Sequence, residues 1–197
     1  MVFVRPALTA NKADMAIKAT IYKIQAELAD MDRNLYGDYS LMIASHPSET
    51  DERMFVRFLA YMLTVEGDGE GMEFGRDISD TEGPSLCKKD LTGQIEHWVE
   101  IGQPDDRRIM KASGRSERVT VFAYGTSVPI WWNDLAGKIT RAKSLTVWQL
   151  PAAETQALAA LAQRTMRLNV TVQDGTVWVG DGSKSVEITP VRIYGTE

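Results

Sequence analysis

The chain has 197 residues, 44% of them hydrophobic and 25% charged, which is the composition of an ordinary globular protein of one domain. No apolar run reaches the ~18 residues that a membrane-spanning helix requires. The single cysteine, Cys87, excludes an internal disulfide and predicts a cytoplasmic location. The net charge of −5 argues against a chain that coats itself with nucleic acid, although it is compatible with a local basic patch.

The first elements along the chain indicate a β-hairpin. Residues 1–14 show no periodicity, and we expect a poorly ordered extension or tag before a single domain over residues 15–197. From Met15, "MAIKATIYKIQAELAD" predicts a strand with alternating apolar residues, and "LYGDYSLMIASH" predicts a second one. The turn-rich "DMDRN" between them favours an antiparallel pairing.

The segment "HPSETDERMFVRFLAYML" predicts the strongest helix of the chain. Ser48 is its candidate N-cap, and the acids Glu49, Asp51 and Glu52 then fall in the first turn, where the helix dipole favours negative charge. An apolar stripe begins at Met54, so one face of this helix should pack on a sheet.

The middle of the chain predicts short strands followed by alternating helices and strands. "MEFGRDI" is a strand candidate, and "PSLCKKDLTGQIEHWVEIG" predicts a hairpin that turns at Thr92-Gly93. Pro104 opens a helix that runs to about Ala112. Strand "RVTVFAYG", helix "SVPIWWNDLAGKI", strand "SLTVWQL" and helix "PAAETQALAALAQRT" follow.

The C-terminal segment "RLNVTVQDGTVWVGDGSKSVEITPVRI" predicts two or three antiparallel strands, with "QDGT" as a strong turn signal. Together these elements predict an α/β (mixed α+β) fold, in which one mixed sheet carries helices on its faces and extra antiparallel strands at both ends.

The stretch "HWVEIGQPDDRRIMKA" is the candidate functional segment. A strand ends with Glu100, and Gly102 then lacks a side chain, so a ligand can approach the backbone there. Arg108, Lys111 and Arg115 follow at helical spacing and share one face. That face is either a solvated surface or a nucleic-acid-binding patch.

Several of these motifs, in the same order, resemble the YaeQ family of bacterial proteins: "HPSETDERM", "WVEIGQP", "RRIMKA", "IWW" and "VQDGTVW". The resemblance covers the chain from Met15 to about Pro190. It implies a variant of the PD-(D/E)XK nuclease-like fold with its core at about residues 48–124. A family name of this kind implies a fold more securely than a function.

The nuclease pattern that this resemblance implies is incomplete here. Its carboxylates hold Mg²⁺ or Mn²⁺, and the metal activates a water for attack on a phosphodiester. A turn centred between Thr92 and Gly93 places Glu100 opposite Ser85, so the family's Pro-Asp pair becomes Pro-Ser. Its Glu-x-Lys motif ends at Gly102 instead of lysine.

A catalytic site would therefore need substitute residues. Asp90 is the candidate for the lost acid and Lys111 for the lost lysine, so the predicted catalytic residues are Glu100, Asp90 and Lys111. Glu49 or Glu52 would supply the helix acid, and the predicted metal ligands are Glu100, Asp90 and Glu49. The alternatives are a strand-end acid at Glu100, a turn aspartate at Asp90 and dipole compensation at the helix acids.

Three hypotheses follow. The chain is a divergent Mg²⁺- or Mn²⁺-dependent nuclease, a non-catalytic module that binds nucleic acid or a protein, or an enzyme of another class with a deep pocket away from Glu100. Two histidines and one cysteine provide no zinc set of the usual spacing. His97 in mid-strand is expected to be a packed or surface residue, and no cofactor-binding motif is present.

Overall fold

The computed structural model describes residues 19–75, 82–142 and 144–195, so the predicted extension at residues 1–14 lies outside the described residues. Within these ranges the helices are α1 (Asp51–Thr64), α2 (Asp106–Ser113), α3 (Val128–Leu135) and α4 (Ala152–Ala159). The strands are β1 (Thr20–Asp30), β2 (Leu35–Ser45), β3 (Met72–Phe74), β4 (Leu86–Lys89), β5 (Ile95–Ile101), β6 (Ser116–Tyr124), β7 (Leu145–Leu150), β8 (Thr165–Gln173), β9 (Thr176–Gly180), β10 (Ser185–Ile188) and β11 (Val191–Tyr194). The predicted mixed α/β class is confirmed. No helix in the described ranges is long and apolar enough to cross a bilayer.

The strands form two mixed sheets instead of the single sheet expected from the sequence. The first has the order β10-β9-β8-β1-β2, and the predicted hairpin of β1 and β2 is one of its edges. β1 also pairs in parallel with β8. The second has the order β11-β7-β6-β5-β4-β3, with β5, β6 and β7 parallel.

Helix α1 explains why two sheets are needed. Ten of its 14 residues are buried, so the helix is covered on nearly all sides and not along one stripe. One hydrophobic core joins α1 to residues of both sheets, including Leu28 of β1 and Val99 of β5. A single sheet could cover only one face of this helix, whereas two sheets enclose it.

The N-terminal ends of helices α1 and α2 differ slightly from the prediction. Thr50, not Ser48, caps α1, since its hydroxyl accepts a hydrogen bond from the Arg53 backbone N–H at 3.2 Å. Ser48 instead contacts the His46 ring at 2.6 Å. The helix predicted from Pro104 begins at Asp106, because Asp105 is its N-cap.

Strand β5 lies between two different environments. Val99 and Ile101 point towards α1 and the core between the sheets. Trp98 points the other way and packs with Ile109 and Ala112 of α2 in a second core. Because side chains alternate along a strand, Glu100 shares the α2 side with Trp98, and His97 shares the α1 side with Val99.

Candidate functional site

The hairpin of β4 and β5 places Glu100 as the sequence predicts. Leu86 pairs with Val99, and the Ser85 backbone N–H donates to the Val99 carbonyl at 3.1 Å. Ser85 Oγ then donates to Glu100 Oε2 at 3.4 Å, so the predicted Ser85–Glu100 contact is present. The turn itself differs from the predicted one, because the Asp90 backbone N–H donates to the Gln94 carbonyl at 2.9 Å and Gly93 adopts φ +88°, a backbone conformation that favours glycine. An irregularity of the pairing between Lys88 and Lys89 then shifts the register by one residue, and this shift produces the predicted alignment of Ser85 with Glu100.

Glu100 is buried beneath α2, so its carboxylate does not reach solvent. Only 2% of its surface is exposed. Trp98 Nε1 donates to Oε1 at 2.6 Å, and Arg108 Nε forms an ion pair with the same oxygen at 2.9 Å. Burial raises the pKa of the Glu100 carboxyl, and the donors Trp98, Arg108 and Ser85 oppose that effect. The carboxylate is therefore satisfied by protein groups.

Arg108 is fixed on its other side as well. Its Nη2 donates to the Gly83 carbonyl at 2.7 Å, which ties α2 to the segment before β4. A metal ion at Glu100 would have to compete with this guanidinium, whose positive charge repels a cation.

Asp90 lies at the opposite end of the hairpin from Glu100. It caps the turn by accepting the backbone N–H of Thr92 at 2.8 Å and that of Gln94 at 2.9 Å. The Thr92 hydroxyl is the main cause that lowers the pKa of Asp90. Gln94 and Glu100 are six residues apart in extended chain, or about 20 Å. The structure does not bring Asp90 and Glu100 together.

The helix acids also have partners of their own. Glu49, with 1% of its side chain exposed, accepts two hydrogen bonds from Arg57 Nη1 at 3.1 and 3.2 Å. Glu52 accepts a hydrogen bond from Thr155 Oγ1 at 2.6 Å. Both belong to the α1 side of the second sheet. Among the described residues, no group of three or more His, Cys, Asp or Glu is placed to hold a metal ion.

The predicted basic face of α2 is only partly available to a partner. Lys111 Nζ pairs with Glu82, and this contact lowers the pKa of the Glu82 carboxyl. Arg115 is exposed and lies beyond Ser113, the last residue of α2, so it does not continue the helical face of Arg108 and Lys111 that the sequence predicts. Gly102 has φ +97°, and a side-chain carbon there would lie 3.4 Å from Arg53 Nη1. This arginine, which also donates to the Ile101 carbonyl at 3.0 Å, occupies the space expected for a ligand.

A cavity of about 770 Å³ lies between the sheets, and the sequence did not predict its position. The end of α1, the β1–β2 turn and the β8–β9 turn form one side of it. Residues of β5, β6, β7 and β11 form the other side, including His97. The cavity is thus on the face of β5 opposite to Glu100.

His97 is the buried polar residue of this cavity. Its Nε2 lies 2.8 Å from Thr120 Oγ1, whereas its Nδ1 is buried and has no hydrogen-bond partner. Burial is the main cause that lowers the pKa of His97 to about 4, so the ring is neutral at pH 7. The one available signal in the sequence was a histidine within the otherwise apolar run "IEHWVEI".

Comparison with known proteins identifies the family. The family model described as YaeQ protein matches residues 15–190. An uncharacterized protein YaeQ of Escherichia coli is 40% identical over 176 residues, which are 88% of this chain and 95% of the relative, and that of Salmonella typhi is 39% identical over 175 residues.

Two crystal structures of YaeQ proteins have the same fold as this chain. That from Xanthomonas axonopodis pv. citri has a TM-score of 0.86 and 40% identity, covering 90% of this chain and 99% of that one. That from Pseudomonas syringae has a TM-score of 0.85 and 35% identity, covering 90% and 97%. The family that the sequence motifs indicate is confirmed, and the chain belongs to the YaeQ family.

Proposed function

We propose that this protein is a non-catalytic binding module on a PD-(D/E)XK-like framework, and not a working nuclease. The observation that carries the proposal is the state of Glu100. This carboxylate is 2% exposed and held by Arg108 at 2.9 Å and by Trp98 at 2.6 Å. A nuclease needs the same oxygens for a divalent metal.

The energetic cost of converting this arrangement into a metal site is high. Removing one partner of a buried ion pair typically costs about 3–5 kcal/mol, because the other charge stays buried. Metal binding would have to provide that free energy without help from Asp90, which lies about 20 Å along the hairpin, or from Glu49, which is paired with Arg57.

The proposed contact surface consists of Lys111 on α2 and Arg115 just beyond the end of the helix, as exchangeable cations, with nucleic acid as the partner. Glu82, the partner of Lys111, has 80% of its side chain exposed. Ion pairs between exposed groups are weak, so a phosphate can replace this carboxylate. Arg108 cannot be exchanged in the same way, because its partner Glu100 is buried.

The test combines a cleavage assay with a binding assay. Wild-type protein and Glu100→Gln are incubated with single- and double-stranded DNA and RNA in Mg²⁺ or Mn²⁺, and we expect no cleavage by either. Metal-dependent cleavage that Glu100→Gln abolishes would overturn the proposal in favour of the divergent nuclease.

Binding is measured by fluorescence anisotropy with labelled oligonucleotides. Lys111→Ala and Arg115→Ala should each weaken binding several-fold and reduce its salt dependence. Lys23→Ala is the matched control, because Lys23 is an exposed lysine on β1 of the other sheet. Equal effects of Lys23→Ala and Lys111→Ala would exclude α2 as the contact surface.

A further inference from the structure

Among the edge strands of the two sheets, β2 differs from the other three. β3, β10 and β11 have 3, 4 and 4 residues, whereas β2 has 11. β2 pairs with β1 over its whole length without a bulge, and no other strand in the described ranges pairs with its outer edge. Proteins protect long edges with lysine, proline or bulges, because unpaired N–H and C=O groups accept a further strand. The β2 sequence "LYGDYSLMIAS" contains no lysine, arginine or proline, so this edge is open for pairing.

The hydrogen bonds of β1 show which groups of β2 point to the open edge. The Lys23 backbone N–H donates towards β8, to the Arg164 carbonyl at 2.9 Å. Because bonding directions alternate along a strand, odd-numbered residues of β1 bond to β8 and even-numbered ones to β2. Even residues of β1 pair with odd residues of β2, so the even residues of β2 direct their backbone groups away from β1. The Ala44 carbonyl agrees with this, since it accepts a hydrogen bond from Arg57 Nη1 at 3.0 Å.

The even residues before Ala44 form the open edge of β2, and all of them are exposed: Tyr36, Asp38, Ser40 and Met42. Tyr36 is 61% exposed and Met42 is 68% exposed, which places two large apolar side chains on this edge. Asp38 is the only charged residue of the strand. A long, flat edge with exposed apolar side chains and few charges favours pairing with another chain.

The open edge of β2 is complementary to itself. When a two-fold axis passes beside Tyr39, antiparallel pairing places Tyr36 opposite Met42 of the second copy, and Asp38 opposite Ser40 of the second copy. Each of these pairs exchanges two backbone hydrogen bonds, so every open N–H and C=O group obtains a partner. The two exposed apolar side chains then contact each other, and a thioether packs favourably against an aromatic ring.

Neighbouring registers of the same two-fold pairing are less favourable. An axis beside Asp38 places this residue directly opposite Asp38 of the second copy, and like charges in that position are destabilising. An axis beside Ser40 places Tyr36 opposite Ala44 of the second copy, whose carbonyl already accepts a hydrogen bond from Arg57. The register centred on Tyr39 avoids both problems.

We propose that β2 pairs with β2 of a second copy of this chain, so that the two five-stranded sheets become one continuous sheet around a two-fold axis. The contact consists of a single strand edge, which is smaller than a standard protein interface, so the dimer is weak and depends on concentration. β2 belongs to the first sheet, whereas α2 packs on the second, so the inference does not depend on the proposed function.

Sedimentation equilibrium and amide hydrogen exchange of the full chain test the pairing. We expect the average mass to rise from that of one chain towards that of two between micromolar and millimolar concentration. Over the same range, the amides of Tyr36, Asp38, Ser40 and Met42 should become at least about tenfold more protected from exchange, because each gains a backbone acceptor. A single-chain mass at every concentration would overturn the proposal. Strong protection of these amides at micromolar concentration would also overturn it, because another segment of the same chain would then occupy the edge.

A pair of double variants tests the register. One carries Tyr36→Lys with Met42→Lys, and the other carries Tyr36→Glu with Met42→Glu. In the proposed register each variant places like charges opposite one another, so each should dimerise at least about tenfold more weakly than wild type. An equimolar mixture pairs lysine with glutamate and should form a heterodimer, which also shows that both variants are folded. Failure of the mixture to associate would overturn the pairing of Tyr36 with Met42.

The matched control is Ile21→Lys on the same face of the first sheet. Ile21 is apolar and 43% exposed, but it lies on β1 opposite Ala44 and outside the paired edge. We expect this variant to dimerise as wild type does. If Ile21→Lys weakens the dimer as much as the double lysine variant, the two copies associate through the sheet face and not through the edge of β2, and the proposal fails.

Discussion

The two faces of β5 carry buried polar residues in opposite conditions. On the α2 side, Glu100 receives donors from Trp98, Arg108 and Ser85. On the α1 side, His97 keeps one nitrogen without a partner beside a cavity. Both residues are at most 3% exposed, so burial alone does not distinguish them. Their hydrogen bonding distinguishes them: the Glu100 carboxylate has protein donors, whereas the unpaired nitrogen of His97 costs free energy in the folded state.

The largest effect expected from this comparison is on the α2 side. Arg108→Ala leaves the carboxylate of Glu100 buried without its cation, and we expect the free energy of unfolding to fall by about 3–5 kcal/mol. Urea denaturation followed by circular dichroism measures this loss. Arg107→Ala, one residue earlier on an exposed position of the same helix, should change the stability little. A comparable loss in both variants would mean that the ion pair with Glu100 is not responsible, since alanine itself favours the helix at both positions.

The next effect is the pH dependence that arises on the α1 side. Burial lowers the pKa of His97 from 6.5 to about 4, with Arg118 and Lys88 acting in the same direction and Glu66 against it. Between these values the unfolded chain binds a proton that the folded chain does not. Stability should therefore decrease as the pH falls from 6.5 to about 4, by up to about 3 kcal/mol from this group.

Urea denaturation across this pH range checks the prediction in wild type and in His97→Asn. The difference between the two proteins isolates the histidine, because the carboxylates are common to both. His46→Asn, in the loop before α1, leaves His97 in place, so it should preserve the wild-type slope. An identical slope in His97→Asn and wild type would show that His97 does not cause the pH dependence.

The sequence predicts the local parts of this fold well. The predicted alignment of Ser85 with Glu100 is present, but the Thr92-Gly93 turn alone does not determine it, because the pairing shifts by one residue between Lys88 and Lys89. The N-cap of α1 was less determined, because Ser48 and Thr50 are both good capping residues two positions apart. The division into two sheets was missed because it depends on the pairing of β1 with β8, which are far apart in the chain.

The site residues were harder to predict for the same reason. The sequence places Glu100 opposite Ser85, but its burial depends on α2 folding back over the sheet with Arg108 directed at the carboxylate. The cavity is formed by β1, α1, β5 to β9 and β11, so no local motif marks it. A histidine inside an apolar strand needs hydrogen-bond partners for its ring nitrogens. Only the tertiary structure shows that Thr120 is the partner of one of them.

The smallest expected effect is on the surface ion pair of Lys111, which contrasts with the buried ion pair of Arg108 on the same helix. Glu82→Gln removes the surface partner of Lys111, and we expect no measurable change in the free energy of unfolding, because exposed ion pairs contribute little. Oligonucleotide binding should become tighter, since the phosphate no longer competes with a carboxylate for Lys111. Anisotropy titrations at two salt concentrations measure this, with Glu27→Gln on β1 as the control for the change in net charge. Tighter binding in both variants would indicate a general charge effect. Tighter binding in Glu82→Gln alone would show that Lys111 exchanges its carboxylate for a phosphate, which Arg108 does not do because its partner Glu100 is buried.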